Sequence, residues 1–462
     1  MDKNKVDLLN GKLYSTIIQL AYPIAIATTI QMLYNLVDTF WLGKLGREAL
    51  AAPVISFQVI FFLIALAAGF SVPATTLVSQ YLGAGKKERA EQAAGNILFY
   101  IFVLSVLLGA LGLFFQKSIL VMLDTPADTF DLTYSYMRII LYGLPVAFPF
   151  FLYRSVMEGY GDTKSPLKIE IFSVALNLLL DPVLIFGWLG FPRLGVAGAA
   201  IATVIARTLS SGIGMFLIFS GRKELRIRLR DLKPNREILP LIWKIGLPAA
   251  VGMAGTSLGF IIIQKIVNNF GTVVISAYGI ASRVIHLFMM PCTAIARAVT
   301  AMVGQNLGAR QIQRARNTLK KAVVLSLSFL VVPVILVMIT GQHILKAFIP
   351  QDPAVHQLGQ TMFLIITPSL LFFALIAIIG GAFTGSGYTV PVMTANIARI
   401  WLFRLPIVYI LSILVLGGPG NDRAVLGIWW GMFASNFLAY LVIQIWYSTQ
   451  GLKKGGRISA PA

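Results

Sequence analysis

Twelve apolar runs dominate this chain, at roughly 13–42, 49–82, 90–116, 131–158, 166–190, 195–219, 239–270, 273–305, 316–341, 358–384, 390–416 and 425–449. About 20 apolar residues cross a bilayer as a helix. In hydrocarbon the backbone must satisfy its own hydrogen bonds, which leaves the helix for runs of this length. The expected fold class is an all-α polytopic membrane protein with twelve transmembrane helices. Composition agrees: of 462 residues, only 12% are charged, against about 25% in a soluble domain. Several runs exceed the minimum, so tilt, kinks or extension beyond the bilayer are expected. Pro23, Pro73, Pro145, Pro149, Pro182, Pro248, Pro368 and Pro406 lie inside runs. Each removes a backbone hydrogen bond and tends to kink its helix.

The formal charge is +20. In a soluble protein that would suggest nucleic acid. Here the basic residues gather between runs, where they set orientation, and no nucleic-acid partner is expected. The second loop holds Lys86, Lys87 and Arg89, and the eighth holds Arg310, Arg314 and Arg316. The sixth is the longest basic stretch, SGRKELRIRLRDLKPNRE, with seven basic residues. The tail adds Lys453, Lys454 and Arg457, whereas the third loop is acidic, with Asp124, Asp128 and Asp131. This bias places both termini in the cytoplasm and loop 43–48 outside, in a multi-pass protein of the cell membrane. Lys3, Lys5 and Lys12 ahead of Ala25-Ile26-Ala27 mimic a secretory signal. That run is longer than a signal core and has a counterpart in mid-chain, so it reads as a retained first helix. Cys292 is the only cysteine, and His286, His343 and His356 are scattered. Neither a disulfide nor a cysteine metal cluster is expected, nor a cofactor.

The chain repeats itself. Pro23 matches Pro248, an offset of 248 − 23 = 225. The same offset aligns VSQYLGAGKKERA at 78–90 with VGQNLGARQIQRA at 303–315. Gly159, Gly161 and Thr163 are echoed by Gly385, Gly387 and Thr389, and Leu194-Gly195 with Ala202 by Leu426-Gly427 with Ala434. The unit is six helices. An even number keeps the orientation of the second copy, so the repeat is parallel. The expected domains are an N-lobe at 1–219, a cytoplasmic basic linker at 220–238 and a C-lobe at 239–462.

Two aspartates interrupt the apolar runs: Asp38 in the first and Asp181 in the fifth. An ionisable group in a span is costly and marks an ion or substrate pathway. Gln31, Tyr34, Asn35 and Asp38 are spaced to share one helical face, and Ser173, Asn177 and Asp181 another. At 1.5 Å per residue Asp38 lies about 7 Å inside Gly43, Asp181 about 13 Å from Gly190, and Thr203 about 12 Å from Gly195. All three belong to the outer half of the membrane. Asp38, Asn177, Asp181 and Thr203 together offer oxygens that suit a small hard cation, including Na⁺. The bland alternative is a carboxylate merely hydrogen-bonded or paired to a basic residue, with Arg207 the nearest candidate. The repeat partner of Asp38 is Ile263, and that of Asp181 falls near Leu405. The second half instead carries Lys265, Arg283, Arg297, Arg399 and Arg404. Most of these are expected near helix ends, snorkelling to the interface.

Taken together, YNLVDTFWLGKLG (34–46), AAPVISFQVIF (51–61), VSQYLGAGKKERA, EGYGDTKSP (158–166), LNLLLDPVLIFG (176–187) and GVAGAAIATVIAR (195–207) resemble the MATE transporters, the multidrug and toxic-compound extrusion family. The resemblance covers the whole length. It implies a secondary antiporter with a cation site in the N-lobe. Asp38, Tyr34, Asn177 and Asp181 fall on the family's site positions, with Thr203 as the sixth-helix hydroxyl and Pro23 as the bending proline of the first helix. Gln31, Asn35, Tyr136, Ser173 and Met253 are expected to line the cargo cavity. The seventh helix lacks the acidic residue of NorM-like members, so the chain resembles the DinF-like branch.

The expected function is efflux of amphipathic cationic or zwitterionic compounds in exchange for H⁺ or Na⁺, by alternating access of two lobes in a monomer. The expected partners are drug-like small molecules and membrane lipid. A lipid or lipid-linked glycan flippase, with the C-lobe arginines holding a phosphate, is the alternative. A channel and a membrane-embedded enzyme fit less well: the site is off-centre, and no catalytic His, Cys or metal constellation appears.

Overall fold

In the computed structural model, which describes residues 4–222, 224–421 and 423–452, twelve helices are long and apolar enough to cross a membrane. They are α1 (Leu13–Gly43), α2 (Arg47–Gly83), α3 (Lys87–Met122), α4 (Ala127–Tyr160), α5 (Lys164–Phe186), α6 (Val196–Phe219), α7 (Leu239–Asn268), α8 (Thr272–Gly308), α9 (Ile312–Phe348), α10 (Pro353–Ser386), α11 (Val390–Val415) and α12 (Ala424–Thr449). No strand occurs among the described residues. Of the charges discussed above, Lys3, Lys453, Lys454 and Arg457 lie outside those residues, as does Lys223 of the basic stretch. Most internal prolines sit within continuous α-helix. The ladder changes at two of them. A 3-10 turn at Thr367–Ser369 contains Pro368. In α11, π-helical turns at Ala398–Arg404 and Ile410–Val415 flank the short α-segment that holds Pro406.

The chain forms two compact units, Met1–Asp7 with Tyr22–Ala250, and Leu8–Ala21 with Val251–Ala462. The breaks fall beside Pro23 and Pro248, not at the basic stretch. The segments that enter α1 and α7 explain this. In unit 1, Arg89 at the start of α3 pairs with Glu237 at 2.8 Å. In unit 2 its repeat partner Arg314, on α9, donates to the Gly11 carbonyl. Each half-repeat therefore begins docked on the unit built mainly from the other half. The basic stretch is held as well. The Asn96 amide donates to the carbonyls of Asp231 (2.9 Å) and Lys233 (3.1 Å), and its oxygen accepts the Asn235 N–H (2.7 Å). Glu91 accepts the Arg226 N–H at 2.9 Å. Carbonyls and N–H groups that would otherwise be orphaned find partners on α3.

The repeat extends to packing detail. A Cβ at Gly159 would lie 2.8 Å from the Thr75 carbonyl oxygen, and one at Gly385 would lie 2.5 Å from that of Thr300. The two threonines are again 300 − 75 = 225 residues apart. Only glycine allows α4 onto α2, and α10 onto α8, this closely.

Candidate functional site

Helices α5 and α6 form a tight pair that sets the site. Asp162 accepts the Ser165 N–H at 2.9 Å at the start of α5. The helix ends at Gly187, whose φ of 76° is left-handed. The chain then returns against its own last turn: Leu194 N–H donates to the Leu184 carbonyl and Gly195 N–H to that of Ile185, at 3.0 and 3.1 Å. Gly198 lies over the same turn, where a Cβ would sit 2.4 Å from the Leu184 oxygen. This fixes the register of Thr203 and Arg207 against Glu170, Asn177 and Asp181.

Side chains from α1, α5 and α6 then meet in three tiers. In the first, Asp38 and Asp181 lie close enough to interact electrostatically, and the Asn177 amide donates to Asp181 Oδ1 at 3.2 Å. Asp181 and Asn177 are buried. Asp38 Oδ1, Asp181 Oδ2 and Asn177 Oδ1 are buried acceptors without a donor. In the second tier, about one turn along, the Tyr34 and Thr203 hydroxyls share a 2.7 Å hydrogen bond. In the third, Arg207 Nη1 donates to both Glu170 oxygens, at 3.0 and 3.2 Å, and Nη2 to the Gln31 carbonyl oxygen. The Arg207 guanidinium lies 6.0 Å from the Tyr34 ring centre. Tyr136 of α4 is buried within electrostatic range of Asp38, Tyr34 and Asp181.

Arg207 is thus committed to Glu170 and Gln31. Among the described residues no ion pair reaches Asp38 or Asp181, so the basic-partner alternative for these carboxylates fails. Glu170 is not among the residues expected from the sequence, although it lies three residues before Ser173 on the same polar stripe. Gln31 is spent on Arg207. The Ser173 hydroxyl donates to the Ala206 carbonyl at 3.3 Å and so ties α5 to α6. Asn35 is exposed, and Met253 is exposed on the other unit. Where the repeat would place a second acidic site, Ile263 and Leu405 belong to one apolar cluster. Among the described residues no group of three or more His, Cys, Asp and Glu could hold a metal ion.

The sequence model of the MatE family matches twice, at residues 23–183 and 248–410. This chain belongs to the MatE family. The matches begin at the two prolines of the internal repeat, so each half carries one family unit. Among curated relatives, the probable multidrug resistance protein YoeA of Bacillus subtilis (strain 168) is 30% identical over 94% of this chain and 93% of its own length. The probable multidrug resistance protein NorM of Thermotoga maritima is 28% identical over 90% of this chain and 88% of its own. Among solved structures, the crystal structure of MATE in complex with MaL6 superposes with a TM-score of 0.88 at 25% identity, covering 98% of this chain and 99% of that one. The MatE fold is therefore matched through the whole chain.

Proposed function

We propose that the protein is a cation-coupled efflux antiporter for amphipathic drug-like compounds, and that the Asp38–Asp181 pair binds the coupling ion. The observation that carries this reading is the first tier: two interacting carboxyl groups on spanning helices, with three buried oxygens that lack donors. Two bare carboxylates at this separation repel each other, and unpaired buried acceptors are costly. A proton shared between them, or a Na⁺ held by Asp38, Asp181, Asn177 and the Thr203 hydroxyl, removes both costs. Tyr34 and Thr203 hold α1 to α6 beside the pair, so ion occupancy bears directly on the position of α1. Pro23 lies within α1 at the break between the compact units and removes a backbone hydrogen bond there, which suits it to bending. Coupling requires that ion and cargo differ in affinity for the inward- and outward-facing states. The multidrug names of the relatives support the cargo class. The basic bias of the even-numbered loops supports cytoplasmic termini.

The test is cargo affinity as a function of pH, with and without Na⁺, in wild type, Asp38→Asn, Asp181→Asn and the double variant. If the two carboxylates share one ion, the double variant is no worse than the worse single, because coupled groups do not add. Additive, independent ion responses of the two singles overturn the shared site.

A further inference from the structure

The second unit contains two buried guanidinium groups and almost no acid to balance them. Arg399 and Arg404 lie on the π-helical turn of α11 and are 5% and 7% exposed. By helix rise Arg399 is about 14 Å from the start of α11 and Arg404 about 17 Å from its end. They are mid-span and do not snorkel, which corrects the sequence-based expectation for these two. Lys265, three residues before the end of α7, is exposed as expected; Arg283 is exposed too, although it lies 11 residues into α8. Residues 251–462 contain only two acids, Asp352 and Asp422. Asp352 accepts the N–H groups of Ala354 and Val355 at the start of α10, and Asp422 lies outside the described residues.

The surroundings of the pair are polar on one side and aromatic on the other. Arg404 Nε donates to the Ser435 hydroxyl and an Nη to the Asn436 carbonyl oxygen, both at 2.9 Å. Asn436 donates in turn to the Ser369 hydroxyl at 2.9 Å. Arg399 Nε is buried with no acceptor at all. Its guanidinium lies 5.1 Å from the Phe373 ring centre, and that of Arg404 5.9 Å from Phe260. Gly255 and Gly259 allow this: a Cβ at either would lie within 2.3 Å of Ile397 or Ile400 on α11. π-helical turns of this kind are frequent at functional sites.

Arginine cannot shed its proton, so two guanidiniums buried together demand a negative partner. Neutral hydroxyl and amide oxygens satisfy part of Arg404 and leave Arg399 Nε open. We propose that Arg399 and Arg404 bind the phosphate or carboxylate group of an amphipathic anion whose apolar part packs on the neighbouring aromatic rings. This deepens the transporter reading: it gives the cargo, or a lipid headgroup, an anionic end held in the second unit. A planar fork of N–H donors is matched to these anions and poorly to cations.

The experiment uses full-length protein in phosphatidylcholine nanodiscs, in buffer free of phosphate. Flavin mononucleotide and riboflavin serve as probes, because they present the same rings with and without a phosphate. Flavin mononucleotide is expected to bind at least about tenfold more tightly than riboflavin, as charge-assisted hydrogen bonds to a buried anion imply. Arg399→Gln and Arg404→Gln should each abolish that preference while leaving riboflavin binding and elution as folded protein unchanged. Arg404→Lys should retain part of it. A parallel arm in nanodiscs containing phosphatidylglycerol separates the sources. Loss of the preference there alone means that the lipid headgroup takes the site, and retention means that a soluble anion does. Equal binding of the two probes by wild type in phosphatidylcholine, or an unchanged preference in both glutamine variants, overturns the proposal. Asp38→Asn should not alter the preference, so failure of the ion-coupling reading would leave this result standing.

Discussion

Arg207 on α6 lies 3.0 Å from Glu170 on α5, and the same guanidinium reaches Gln31 on α1. Arg207 is thereby taken, and among the described residues no ion pair reaches Asp38 or Asp181. The ion pair and the carboxylate pair sit at opposite ends of one polar seam, with the Tyr34–Thr203 hydrogen bond between them.

Glu170→Gln should therefore damage more than local packing. Breaking a buried pair by removing one partner costs about 3–5 kcal/mol, and the lower end applies because Arg207 keeps some exposure. The freed guanidinium would also become available as a counter-ion to the aspartates. Lower thermal stability together with weakened ion-dependent efflux is expected. Wild-type efflux in a destabilised Glu170→Gln protein would show that the ion pair is structural only.

Gly198→Ala tests the α5–α6 register. The added Cβ would sit 2.4 Å from the Leu184 carbonyl oxygen, so the helices must part. Overpacking of this kind costs about 1–3 kcal/mol. The melting temperature should fall, and the fall should exceed that for Gly212→Ala, where nothing lies within 4 Å.

Asn96→Ala should release the basic stretch. It removes both donors to the Asp231 and Lys233 carbonyls and the acceptor for Asn235. Trypsin should then cut at Arg228 or Arg230 faster than in wild type, with the helices still protected. Unchanged cleavage would mean that α3 does not hold this segment.

Much of this was legible in the sequence. The twelve spans follow from runs of apolar residues, and the parallel repeat from one offset held through a polar loop. Helical spacing and matched depth put Asp38, Asn177 and Asp181 near one another, and the structure adds Thr203 about one turn away, bonded to Tyr34. Other features were hidden for physical reasons. Glu170 and Arg207 look like an isolated acid and base until the α5–α6 turn sets their register. The docking of residues 8–21 on the second unit depends on contacts some 300 residues away in the chain, such as Arg314 with Gly11. The burial of Arg399 and Arg404 depends on a change of helical pitch and on two glycines of α7, and neither leaves a periodic signal.

Orientation can be checked separately. With Cys292 removed, a single cysteine at Leu45 should react with a membrane-impermeant thiol reagent added to intact cells, and one at Ser220 should not. The reverse pattern would invert the topology.

On the proposed mechanism the Asp38–Asp181 pair turns an ion gradient into export. The direct measurement is drug efflux from proteoliposomes under a Na⁺ gradient alone and under a proton gradient alone, in wild type, Asp38→Asn and Asp181→Asn. Wild type should respond to at least one gradient. Both variants should insert and fold normally yet fall to the level of protein-free vesicles under either. Gradient-driven efflux that persists in reconstituted Asp38→Asn or Asp181→Asn protein would contradict the account.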